Sequence, residues 1–287
     1  FCQRMQGMEL NKRALESLIQ SGALDGLGWN RRQMLQQYEQ ILSSAKETAA
    51  TQLVGQMQLF GMVSTGNWQE PIPEPMEEFS QAELLHMERE VTGMYISGNP
   101  LQPVQYLCRL LHTTTAANLS SLPEKTNICI IGILQQMKPH LTKSNERMCF
   151  FQLEDLTGSV DCVAFPNVFR AVQQKLQMDS ILWCKGTLSV KESGVSILCN
   201  SILTLEELQR QVAQGRLCMK LVSTDTVRMQ QALQTAEAYA GNTDICFYFT
   251  DKKRTVQPKQ KIGIAVTEES EQALQQFFSS AELGILK

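Results

Sequence analysis

Residues 126–203 constrain the fold of this chain most. They hold five runs of β-branched and other apolar residues, at 128–137, 148–155, 159–165, 180–190 and 195–203, with turn signals at Leu156-Thr157-Gly158 and Glu192-Ser193-Gly194. One helical pattern interrupts them: Val168, Phe169, Val172 and Leu176 recur at helical spacing within 167–177, between the third and fourth runs. The order β-β-β-α-β-β, with a helix to plug one end after strand three, is the layout of an OB-fold barrel. On the second strand Cys149, Phe151 and Leu153 alternate with Met148, Phe150 and Gln152, and the first set is assigned to the interior. The adjacent pair Phe150-Phe151 leaves that assignment open to a one-residue slip, which would exchange core for surface.

The flanks read differently, so the expected fold class is multidomain α+β. Before the barrel, Asn11 precedes Leu15, Leu18 and Ile19, and Gly22 closes that helix. Asn30 then caps a second helix whose stripe runs Met34, Leu35, Tyr38, Ile41, Leu42 and Ala45. Periodicity is lost between 49 and 78, ending in Pro71-Ile72-Pro73-Glu74-Pro75, and this reads as an extended acidic tether. Ser80 and Glu83 form a capping box for a helix reaching about residue 95. After the barrel, a Gln-rich helical connector at 205–214 leads to strand 217–222, helix 225–240, strands 244–250 and 261–266, helix 268–280 and strand 283–286. This β-α-β-β-α-β succession implies a small two-layer α/β sandwich. The domains are accordingly placed at 1–48 (helical), 49–78 (linker), 79–123 (helical connector), 124–204 (barrel) and 205–287 (α/β), a division that 287 residues accommodate.

Charge does not decide the function until it is partitioned. Seven acids between residues 69 and 90 face Arg89 alone, a local −6 in a chain of net −3, so the remainder carries +3. Binding to phosphates must therefore come from local clusters. The nine cysteines never form a C-x-x-C pair, so neither a zinc site nor a disulfide framework is implied and a reducing cytoplasm is expected. No apolar run approaches a membrane span. The chain starts at Phe1 with no basic and apolar leader, and is expected to be an excised part of a longer protein.

OB barrels hold single strands by joining a basic groove to aromatic platforms. The segment 138–147, read as the loop between strands one and two, supplies Lys138, Lys143 and Arg147 against Glu146 alone. Met148 and Phe150 would face outward beside it, with Lys191 in the loop between strands four and five closing the other end. Such a loop is otherwise only solvated, and an aromatic on a strand is otherwise core. Residues 124–203 hold eight basic and seven acidic residues, so the affinity should be modest and salt-sensitive.

Four stretches carry a family likeness. They are Leu10-Asn11-Lys12-Arg13-Ala14-Leu15-Glu16-Ser17-Leu18-Ile19-Gln20-Ser21-Gly22-Ala23-Leu24-Asp25; Gln56-Met57-Gln58-Leu59-Phe60-Gly61; Glu88-Arg89-Glu90-Val91-Thr92-Gly93-Met94-Tyr95-Ile96-Ser97-Gly98-Asn99-Pro100-Leu101; and Phe151-Gln152-Leu153-Glu154-Asp155-Leu156-Thr157-Gly158-Ser159-Val160 leading to Phe165-Pro166. In this order they resemble the C-terminal region of the bacterial DNA polymerase III alpha subunits, the family-C replicative polymerases. The likeness thins after residue 205, and Asn99 stands where the family usually has His before the proline. The domain order resembles the shorter alpha subunits rather than the Gram-positive form with its own proofreading domain.

The resemblance implies that the first segment is the tail of a helix-hairpin-helix region, whose Lys12, Arg13, Arg31 and Arg32 would meet a duplex backbone, or else form a solvated helix face. It implies that Gln56, Met57, Gln58, Leu59 and Phe60 are the internal clamp-binding peptide that tethers the polymerase to the sliding clamp beta subunit. That fits two apolar anchors in an otherwise polar linker, the alternative being that Leu59 and Phe60 fold back on the preceding helix. Lys252-Lys253-Arg254 lies in a region that the resemblance brings close to the contact with the clamp-loader tau subunit.

It further implies that the intact protein is a DNA-directed DNA polymerase, a nucleotidyltransferase, whose Mg²⁺-binding aspartates lie in a palm far upstream. The chain in hand should then need no cofactor or metal and be inactive alone. Glu154-Asp155 offers no substitute: neighbours on a strand point to opposite faces, and Asp155 instead suits the start of the turn at Thr157-Gly158. His86, His112 and His140 are far apart in sequence and show no partner pattern. The function expected is to tether the polymerase to single-stranded template and to the clamp during DNA replication. The alternative is a protein-interaction scaffold whose barrel binds another replisome subunit.

Overall fold

The computed structural model describes residues 1, 2, 4, 5, 10–53, 72–191 and 194–286, with side chains over the same residues except 47–53. The peptide Gln56–Phe60 lies outside the described residues. The chain divides into two compact units, Phe1–Asn99 and Pro100–Lys287.

In the first unit, α1 (Lys12–Gln20) is capped by Asn11, whose side chain accepts from the Ala14 N–H. The second helix, α2 (Arg31–Leu53), runs past the end expected from the sequence. Asn30 and Gln33 cap its start reciprocally: the Gln33 N–H donates to Asn30 Oδ1 at 2.8 Å and the Asn30 N–H to Gln33 Oε1 at 3.0 Å. Leu15, Ile19, Leu24, Met34, Tyr38 and Leu42 form the core between the two helices. The third helix, α3 (Gln81–Thr92), carries the Ser80/Glu83 capping box and ends at Gly93, whose φ of 78° needs a residue without Cβ.

The acidic tether is corrected at its far end. Residues 74–78 are docked on the start of α2, because that terminus leaves backbone N–H groups unpaired and a carboxylate satisfies them best. Glu78 accepts from the N–H groups of Arg31 (2.8 Å) and Arg32 (3.2 Å), while Asn30 and Gln33 side chains donate to the Met76 and Glu74 carbonyls.

The second unit opens with two short helices, α4 (Gln105–Leu110) and α5 (Ala116–Leu119). The barrel follows: β1 (Asn127–Leu141), β2 (Arg147–Glu154), β3 (Ser159–Ala164), α6 (Pro166–Val172), β4 (Ile181–Lys191) and β5 (Gly194–Thr204). It closes in the order β1-β2-β3-β5-β4, with β3 and β5 parallel and the other pairs antiparallel. Leu134, Cys149, Leu153, Cys184 and Ile197 are fully buried inside it, and α6 adds Phe169 and Val172 to the same core. Gly186 sits where the β4–β5 register shifts, and a Cβ there would collide with the Leu198 carbonyl, so the strands approach this closely only with glycine.

Asp155 starts the β2–β3 turn. Its Oδ1 accepts from the Thr157 N–H (2.7 Å) and the Gly158 N–H (3.0 Å), and its Oδ2 accepts from the Ala116 N–H at 2.7 Å, fastening α5 to this turn.

The remaining residues form α7 (Leu205–Gln214), β6 (Arg216–Leu221), α8 (Thr226–Ala238), β7 (Ala240–Phe249), β8 (Arg254–Val256), β9 (Gly263–Ile264), α9 (Glu268–Gln275) and β10 (Leu283–Leu286). The sheet order is β10-β6-β7-β8, with β9 also pairing with β7. The expected strand 261–266 shrinks to two residues. A short strand at 254–256 takes the place beside Phe247–Phe249, because Lys253 with φ 49° turns the chain straight back. Arg254 therefore opens a strand instead of ending a loop.

No described helix is long and apolar enough to cross a membrane.

Candidate nucleic-acid interface

The first strand pair extends further than its sequence suggests. Past a register shift between Leu134 and Gln136, β1 and β2 stay paired to the end, with Lys138 opposite Phe150, His140 opposite Met148 and Leu141 opposite Arg147. The expected loop 138–147 is thus a hairpin with a turn at 142–146, where Asn145 (φ 59°) and the Thr142-to-Glu146 hydrogen bond reverse the chain. Pro139 is tolerated because β4 pairs with β1 only as far as Ile133, which leaves this stretch with β2 on one side alone.

Alternation then fixes the faces. Cys149, Phe151 and Leu153 point inward as assigned, and Phe150 lies outward with 45% of its surface exposed. Its ring meets His140 edge to face, with centroids 6.0 Å apart. Across the same outer face, Phe150 is opposite Val163 and Gln152 is opposite Asp161 on β3, while Asp161 is opposite Ser196 on β5. Together they floor an open groove of about 310 Å³. Lys138 lines it from β1 and Lys191 from the end of β4, so the structure brings Lys138, Phe150 and Lys191 to one place.

Three sequence-selected residues sit elsewhere. Met148 shares the outward parity of Phe150, yet only 8% of it is exposed. It lies at the end of β2 that runs beside the β3-to-α6 junction, and being buried it is not a surface platform. Arg147 alternates with Phe150, which places it on the opposite face of the hairpin. Lys143 is exposed at the hairpin tip. Conversely, His140, Gln152 and Asp161 share the groove face without having been selected; strict i, i+2 counting from Lys138 and Phe150 would have reached the first two.

The four cations proposed for duplex contact do not form one patch. Arg31 is corrected outright: 3% of it is exposed, and its guanidinium donates to Asp25, to Glu88 at 2.9 Å and to the Gln20 carbonyl. Lys12 is paired with Glu39, and the Arg32 guanidinium lies 4.5 Å above the centre of the Phe79 ring. Arg13 is exposed. Among the described residues, no cluster of three or more His, Cys, Asp or Glu side chains is arranged to hold a metal ion.

This architecture has a defined class. Residues 128–205 match the family model of an OB-fold nucleic acid binding domain, and residues 1–34 match a helix-hairpin-helix motif. Beyond those modules, the chain is similar to DNA polymerase III subunit alpha. It is 29% identical to the protein of Treponema pallidum over 206 residues, covering 72% of this chain and 18% of that one. It is 26% identical to the protein of Borreliella burgdorferi over 274 residues, covering 90% of this chain and 23% of that one. The resemblance read from the four sequence stretches thus agrees with curated relatives, of whose length the chain spans about a fifth. Among solved structures, the mitochondrial single-stranded DNA binding protein Rim1 of S. cerevisiae is 9% identical with a TM-score of 0.25, over 29% of this chain and 96% of that one.

Proposed function

We propose that this chain is the DNA-holding and partner-tethering part of a replicative polymerase, gripping single-stranded template in the barrel groove while nucleotide addition takes place elsewhere in the intact protein. The observation that carries this reading is the convergence of Lys138, Phe150 and Lys191 on one open groove across β1, β2, β3 and β5. An exposed ring offers a stacking face to any base, and cations at two margins meet phosphates on either side. The peptide Gln56–Phe60 would add a second attachment, to the sliding clamp, and two weak attachments on one chain hold far longer than either alone. In this reading the chain adds no nucleotides unaided.

Fluorescence anisotropy of the full chain with a labelled single-stranded oligonucleotide, at low and moderate salt, tests the groove. Binding that weakens with salt and is lost on changing Lys138, Lys191 and Phe150 together to alanine supports it. Absence of binding would favour a barrel that docks a protein subunit instead.

A further inference from the structure

The groove floor carries a carboxylate where a phosphate-tracking surface would carry a cation. Asp161 stands in the middle of the face, opposite Gln152 on β2 and Ser196 on β5, with Lys138 and Lys191 at the margins. Among the described residues its one protein partner is the Gln152 amide, which donates to Oδ1 at 3.4 Å, so the exposed carboxylate keeps most of its acceptor capacity. A carboxylate repels phosphate, which forces the sugar-phosphate chain to the lysine margins and turns the bases to the floor.

From this, and resting on the reading that the groove holds a single strand, we infer that Asp161 reads the bases and favours cytosine over thymine. The two pyrimidines share one ring and a similar stacking face apart from the thymine C5 methyl, and they differ in hydrogen bonding at position 4. Cytosine presents its N4 amine as a donor to the carboxylate; thymine presents the O4 acceptor at the same position and meets it lone pair to lone pair. Gln152 is a positioning residue, its amide donating to one Asp161 oxygen and leaving the other to the base.

The test compares labelled dC12 and dT12 by anisotropy, using the full chain at pH 8 and one fixed salt concentration. Wild type should bind dC12 about three- to tenfold more tightly than dT12, the range that one net hydrogen bond supplies. Asp161→Ala should bring the two within about twofold, and Gln152→Ala should reduce the preference, whereas Lys138→Ala should weaken both oligonucleotides alike and leave their ratio intact. Equal wild-type affinities, or a preference that survives Asp161→Ala, would overturn the inference while leaving the groove a strand-binding surface. Failure of both oligonucleotides to bind would remove the underlying reading as well.

Discussion

The Arg31 guanidinium and the Glu88 carboxylate meet at 2.9 Å with 4% and 0% of their side chains exposed, although 57 residues separate them in sequence. Glu88 also accepts from the N–H groups of Ile96 and Ser97, each at 2.9 Å, so one buried carboxylate joins the start of α2 to α3 and to the turn beyond it. Glu88→Gln removes the charge and leaves the buried Arg31 guanidinium with Asp25 as its one carboxylate among the described residues, and Asp25 is half exposed. The cost should be about 3 kcal/mol. Hydrogen exchange read on peptides from α2 and α3 should show faster opening there, with the barrel unchanged.

The same carboxylate sets an acid limit. Burial alone would raise its pKa, but the Ser97 and Ile96 N–H groups and Arg31 outweigh burial and hold Glu88 down to about 2. A depressed folded value contributes stability in full above the unfolded value near 4.5 and loses it as pH falls toward 2. Unfolding of α2 and α3 followed by circular dichroism and exchange should therefore steepen between those two values. In Glu88→Gln that component of the pH dependence should vanish.

Phe150 is exposed, so Phe150→Ala should leave thermal unfolding of the barrel nearly unchanged while costing about 1–3 kcal/mol of single-strand affinity, the range for one lost stacking contact. With two groove lysines engaged, the slope of log affinity against log salt should be about −1.4, and near −0.7 in Lys191→Ala. A slope near −3 would instead bring Lys143 and Arg147 into contact with phosphates.

Changing Leu59 and Phe60 to alanine should abolish binding to a purified sliding clamp by surface plasmon resonance, because apolar anchors supply most of the energy of such a peptide. Circular dichroism should be unaffected.

Asp155→Ala removes the acceptor for the turn at Thr157 and Gly158 and for the first N–H of α5 at once. A loss of about 1–2 kcal/mol is expected, as for other capping deletions. Asp155→Asn, which keeps an acceptor, should recover part of it in the same thermal melt.

What the sequence disclosed follows the reach of each interaction. The succession of strands, the plug helix after β3, the caps at Asn11, Asn30 and Ser80 and the Asp155 turn at Thr157-Gly158 depend on residues within a few positions, and each is readable. Arg31 looked like a solvated cation because its partner Glu88 lies far along the chain. Glu78 looked like part of a free tether because the N–H groups it satisfies are 46 and 47 residues away. Met148 has the alternation of a surface residue, yet it is buried, which its own strand does not disclose. In the groove, Lys138, Phe150 and Lys191 were legible by type. Arg147 leaves for the other face by simple alternation once β2 is known to start there, whereas placing Asp161 in the groove requires the β2–β3 register, which no single strand displays.

The proline at position 139 has a consequence for what can approach the barrel. Beyond Ile133 the outer margin of β1 has no strand beside it among the described residues, and such a bare rim invites another polypeptide to zip on through its main chain. Pro139 offers no N–H to such an intruder, and Lys138 beside it repels a second copy of itself. The hairpin can then stay open to a polyanion, whose recognition needs side chains alone.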